Sequence, residues 1–177
     1  MTKTLNKFGL AGLLLLVVGG AAYFFLREEQ PRLYINEFMA NNASCCPGLD
    51  KLDEFEDWIE IYNAGSVPID VGGMYFTQNK NKALSHQIPR TNPDVTTIEP
   101  GGFLLLWADG ESDRGVLHFD FRLDQDGEYL GLYDKDGRKI DSMTFREQKE
   151  NVSFGRSPDG GESWKEFARP TPGAANQ

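Results

Sequence analysis

The sequence is short of the groups that nucleophilic and metal chemistry use. It has two histidines, His86 and His118, two cysteines, Cys45 and Cys46, and no Gly-x-Ser-x-Gly turn. A serine or cysteine nucleophile would need one of those histidines as its base. His86 lies in a polar loop and His118 begins an apolar run beside Phe119 and Phe121, so both read as surface or edge histidines. Adjacent cysteines do not give the separated ligand pairs of a zinc site. Two-carboxylate hydrolysis is not excluded, but among 27 acids such pairs arise by chance. Positive charge is also scarce: 18 Lys and Arg leave a net charge of −9. Residues 1–27 hold Lys3, Lys7 and Arg27 and no acid, a local +3, so residues 28–177 carry −12. That surface repels phosphate backbones, and nucleic acid is not an expected partner.

One long apolar run is present. Residues 8–26, Phe8 to Leu26, are 19 residues without a charge. At about 1.5 Å per residue they nearly cross a hydrocarbon core of about 30 Å. Lys3 and Lys7 precede the run, so the positive-inside bias predicts a cytoplasmic N-terminus at 1–7 and a domain on the far side. The alternative is a cleaved signal peptide, for which Gly20-Ala21-Ala22 supplies small residues. The apolar run continues through Tyr23-Phe24-Phe25-Leu26, which favours a retained transmembrane anchor. Both readings place the domain outside the cytoplasm, periplasmic or extracellular. Residues 27–32 form a polar linker containing Pro31.

From residue 33 to 177 the pattern is short apolar runs between turn residues, without an amphipathic helix. The runs cover residues 33–39, 58–62, 71–77, 102–107, 117–123, 128–133, 140–145 and 152–155, with a last one at 164–167. Short strands with frequent turns predict an all-β sandwich or barrel. Asp124-Gln-Asp-Gly127 and Asp134-Lys-Asp-Gly137 read as hairpin turns, which makes 117–145 a three-stranded meander. Phe103-Leu-Leu-Leu-Trp107 is apolar on both faces and reads as a central strand. Trp58-Ile-Glu-Ile-Tyr62 alternates and predicts one buried and one partly wet face. Residues 80–97 are polar, with Pro89 and Pro93, and read as a long loop with room for an edge strand.

Several of these segments, in order, resemble the lamin-tail domain family. They are Ile35-Asn-Glu-Phe-Met-Ala-Asn-Asn42, Asp57-Trp-Ile-Glu-Ile-Tyr-Asn63, Ile69-Asp-Val-Gly-Gly-Met74 and Ile98-Glu-Pro-Gly-Gly-Phe103. The Asp-Gly turns, Ser153-Phe-Gly-Arg-Ser-Pro-Asp159 and Thr171-Pro-Gly-Ala-Ala-Asn176 complete the set. The resemblance implies an immunoglobulin-like antiparallel β-sandwich after one N-terminal transmembrane helix, of the exported bacterial type. It also implies a non-catalytic interaction or scaffolding module with an unknown protein or glycan partner. Asp57 and Asn63 then satisfy loop backbone groups, and Gly72-Gly73, Gly101-Gly102 and Pro172-Gly173 form turns.

Three surfaces carry ligand expectations. Asp50, Asp53, Glu54, Glu56 and Asp57 put five carboxylates in eight residues, the hard oxygens that calcium takes. The spacing is not that of an EF-hand, and the other reading is a solvated acidic loop. Cys45 and Cys46 are expected to be oxidised in an exported domain, as a vicinal disulfide that stiffens the loop or faces a ligand, with two bridges to partner chains as the other reading. Trp58 and Tyr62 share one strand face, and stand either in the core or as sugar-stacking aromatics of a glycan or cell-wall binding module.

Overall fold

Leu33, Ile35 and Phe38 have essentially no exposed surface and set the inner face of the first strand, β1 (Leu33–Met39). The computed structural model describes residues 31–46 and 55–177. The expected anchor at 8–26 lies outside the described residues. Among the described residues, no helix is long and apolar enough to cross a membrane. From Pro31 to Gln177 the chain forms one unit.

The remaining strands are β2 (Trp58–Asn63), β3 (Ile69–Asp70), β4 (Tyr75–Thr77), β5 (His86–Gln87), β6 (Thr97–Ile98) and β7 (Phe103–Trp107). They are followed by β8 (Tyr129–Tyr133), β9 (Lys139–Thr144), β10 (Ser153–Arg156) and β11 (Trp164–Phe167). One sheet runs β11-β10-β1-β2-β7 and a second runs β5-β4-β8-β9, with a β3–β6 ladder besides. Every pairing between strands is antiparallel. The core lies between the two larger sheets. Phe38, Ile59, Ile61 and Leu106 of the first pack in one cluster with Phe76, Leu130 and Leu132 of the second. Each such fully buried side chain contributes about 1.5–3 kcal/mol.

Three expectations change. The run 117–123 is not a strand of a meander. It makes two isolated bridges, Trp107 with His118 and Asp109 with Arg122. Phe119, Phe121 and Leu123 are buried. The backbone, however, lies along the end of β7, with the Trp107 N–H donating to Leu117 O and the Phe119 N–H to Trp107 O. Strand β8 pairs with β4 and β9 instead. Strand β7 is also not central: it ends its sheet and pairs with β2 alone among the strands. It is apolar on both sides because Leu106 enters the core while Leu105 and Trp107 join an outer cluster with Met39 and Trp58. The outer face of strand β2 is drier than expected, since Glu60 is as buried as Ile59 and Tyr62 alone keeps exposed surface. Residues 80–97 do hold an edge strand, β5, and add a single helical turn, α1 (Pro93–Thr96).

Candidate functional site

The outer face of the five-stranded sheet carries a polar network that explains the burial of Glu60. A register shift between Ile35 and Glu37 turns Asn36 and Glu37 toward that face. The Glu37 carboxylate accepts from Ser153 Oγ, and from the backbone N–H and Oγ1 of Thr171. The Glu60 carboxylate accepts from Asn36 Nδ2 at 3.2 Å and from the Gly173 N–H at 2.6 Å. Gly173 takes a φ of 78°, which suits glycine, and so aims its N–H at Glu60. Asn176 donates to Asn36 O and Arg156 O. A Cβ at Gly155 would stand 2.7 Å from the Asn176 amide, so the strap needs glycine beneath it. Residues 171–176 thus roof two buried glutamates. Burial pushes the Glu60 carboxyl up to about 8, against the Asn36 and Gly173 hydrogen bonds, and raises Glu37 as well.

At one end of this sheet lies an open cleft of about 470 Å³. It is lined by Ala40, Asn41, Asn42, Asp57, Arg122, Leu123, Asp124 and Gln125. Asn42 builds one wall: its Nδ2 donates to Glu56 O, its Oδ1 accepts from the Cys45 N–H, and its own N–H donates to Asp57 Oδ1 at 3.2 Å. Desolvation pushes the Asp57 carboxyl up to about 6, opposed mainly by the Asn42 hydrogen bond. Arg122 sits on the rim and donates to Glu56 Oε2 at 3.1 Å. Asp124 Oδ1 accepts from the Asp126 N–H, which makes the 124–127 segment a self-satisfied turn. Asp134 Oδ1 does the same for Asp136 and Arg138.

The acidic segment therefore divides. Asp50, Asp53 and Glu54 lie outside the described residues. Glu56 faces Arg122, and Asp57 turns toward Asn42. Among the described residues no group of three or more His, Cys, Asp or Glu side chains could hold a metal ion. Cys45 and Cys46 are bonded to each other, and Cys45 packs on the Met39–Trp58–Trp107 cluster. Trp58 has no exposed surface and cannot face a ligand, because that outer cluster encloses it. Its Nε1–H is the one buried side-chain polar atom without a partner among the described residues. Tyr62 is half-buried; it stands opposite Tyr34 and stacks on Phe103 at 4.9 Å.

The histidines are less plain than their sequence context suggests. His118 Nδ1 lies 2.5 Å from Asp109 Oδ2, a carboxylate with no exposed surface that also meets Arg114. His86 Nδ1 lies 2.5 Å from Asp120 Oδ1. Sequence spacing could not show the first pair, since bridges between 107–109 and the irregular segment 118–122 create it. The Glu37–Glu60 pair has a signal in the sequence: each is the single charged residue of its strand.

The architecture is that of a two-sheet, all-β domain with motif residues spent on its own closure, and the family comparison agrees. The lamin tail domain model matches residues 27–147. That is more than half of the chain, and the chain belongs to the lamin tail domain family. No curated protein and no solved structure matches it. The match stops before β10, β11 and the strap, yet β10 pairs with β1 inside the same sheet.

Proposed function

We propose that this protein is a non-catalytic interaction module of immunoglobulin-like type, held at a membrane by residues 8–26 and facing away from the cytoplasm. The lining of the cleft carries this reading. It offers amides, carboxylates and a guanidinium, with no histidine, hydroxyl or thiol among the described lining residues. Such a set supplies donors and acceptors that recognise a ligand, and it lacks a hydroxyl or thiol with a histidine to activate it. The oxidised Cys45–Cys46 pair supports an exported setting. The test uses cells producing the full chain. The protein should stay in the membrane fraction through alkaline carbonate washing, and protease added to spheroplasts should digest residues 33–177. A soluble product beginning at Tyr23 would sink the anchor.

A glycan or cell-wall binding role is the second reading. Tyr62 and Phe103, half-buried on adjacent strands, favour it, since aromatic side chains that keep exposed surface offer a sugar an apolar contact.

A further inference from the structure

We infer that the Cys45–Cys46 disulfide is a site of reversible thiol–disulfide exchange, entered by a thiol reductant at Cys46, and not a staple of the fold. A disulfide stabilises a domain chiefly by closing a loop of the unfolded chain, and the gain grows with the length of that loop. This bond joins neighbours in sequence, so it closes no loop and ties no two elements together. Nor does its segment depend on it for its position. The Ala43 and Ser44 N–H groups donate to Asn151 Oδ1. The Cys45 N–H donates to Asn42 Oδ1, and Asn42 in turn donates to Glu56 O and Asp57 Oδ1. None of these bonds involves a sulfur, so all of them can persist when the sulfurs part. What the disulfide accompanies is a left-handed backbone at Cys46, with a φ of 64°. Residues other than glycine seldom enter that region, and those that do collect at functional sites. Both cysteines keep exposed surface, so a thiol can reach the bond. The two sulfurs are not equivalent: Cys45 packs on the Met39–Trp58–Trp107 cluster, which leaves Cys46 as the open side. The chain has no third cysteine onto which a freed thiol could shuffle.

The exchange balances with two thiol groups of the reductant. The first, as thiolate, bonds to Cys46 Sγ while the Cys45–Cys46 bond breaks, and the electron pair leaves on Cys45 Sγ, which takes a proton. The second thiolate attacks the reductant's sulfur in the mixed disulfide, releasing Cys46, which is protonated in turn. The reductant departs as its disulfide, and two electrons and two protons have passed to the pair. The test equilibrates the full chain, folded in detergent, with glutathione buffers of increasing reduced fraction, then labels thiols with iodoacetamide and reads the intact mass. The pair should take up two labels within the glutathione range, and oxidised glutathione should reverse this. The melting temperature should differ by less than about 2 °C between the two forms, since no loop is opened. A pair that stays oxidised in fully reduced millimolar glutathione, as structural disulfides do, would overturn the proposal. So would a larger fall in melting temperature on reduction. The single variants separate the sulfurs, and both lack the bond. C45S, which keeps Cys46, should form a mixed disulfide with oxidised glutathione at least tenfold faster than C46S, which keeps Cys45. Equal rates, or the reverse order, would overturn Cys46 as the point of entry.

Discussion

The Arg156 guanidinium directs its donors at three acceptors on different parts of the chain. It reaches Ile35 O on β1, Gly161 O in the loop before β11, and both oxygens of Asp141 on β9 of the other sheet. Its plane also lies over the rings of Tyr34 and Trp164. Arg156 and Asp141 are nearly enclosed, at 9% and 14% side-chain exposure, so the pair is not screened like a surface bridge. Arg156→Met should cost about 3–5 kcal/mol, because Asp141 would be left as a buried unpaired charge. Urea unfolding with an unchanged slope and a lower midpoint checks this; a loss under 1 kcal/mol would refute it. The motif containing Arg156 was legible in the sequence, but its partner was not. Nothing in the spacing of residues 141 and 156 says that two sheets meet there.

Elements followed the sequence where one face was apolar and turn chemistry closed the strand. Strand β11 and the β8–β9 hairpin are of this kind, the latter with Gly137 at a φ of 78° in its turn. The reading failed where the backbone found partners outside a sheet, as at 117–123, and where distant chain covered an expected wet face, as on β2. The strap at 171–176 is the clearest instance. Asn176 side-chain atoms serve Asn36 O, Arg156 O and the Thr171 hydroxyl. Asn176→Ala strands those groups and should destabilise by about 1–3 kcal/mol, whereas exposed Ala175→Ser should stay within about 0.5 kcal/mol. Thermal melts of the two variants decide it, and equal melting temperatures would show the strap to be a passive tail. The candidate cleft was half legible. The acidic residues ahead of β2 drew notice, but the opposite wall, 122–125, came from a turn read as a plain hairpin.

For the molecule as a whole, the buried acids set the direction of its pH response. Glu60 and Asp57 have folded-state values of about 8 and about 6, above their ordinary 4.5 and 3.8, and Glu37 and Glu128 move the same way. The unfolded chain therefore releases these protons first as pH rises. Their stabilisation is full below about pH 4 and is lost as pH climbs through about 6 and then about 8. The slope approaches about 1.4 kcal/mol per pH unit for each proton that only the folded state holds. Melting temperature should fall between pH 5 and 8, and Glu60→Gln should flatten the upper half of that decline. A midpoint that rises over this interval would contradict the arrangement of Glu60 under Gly173.

The roof over Glu37 and Glu60 also fixes an order of events. Strand β1, among the first residues of the domain to be made, is flanked in its sheet by β10, and its Glu37 waits for Thr171, 134 residues later. Closure over such separations is slow, and until it happens the nascent domain keeps two glutamates wet and one long strand edge unpaired. A chain emerging from the ribosome can finish this domain only after residue 176 is free.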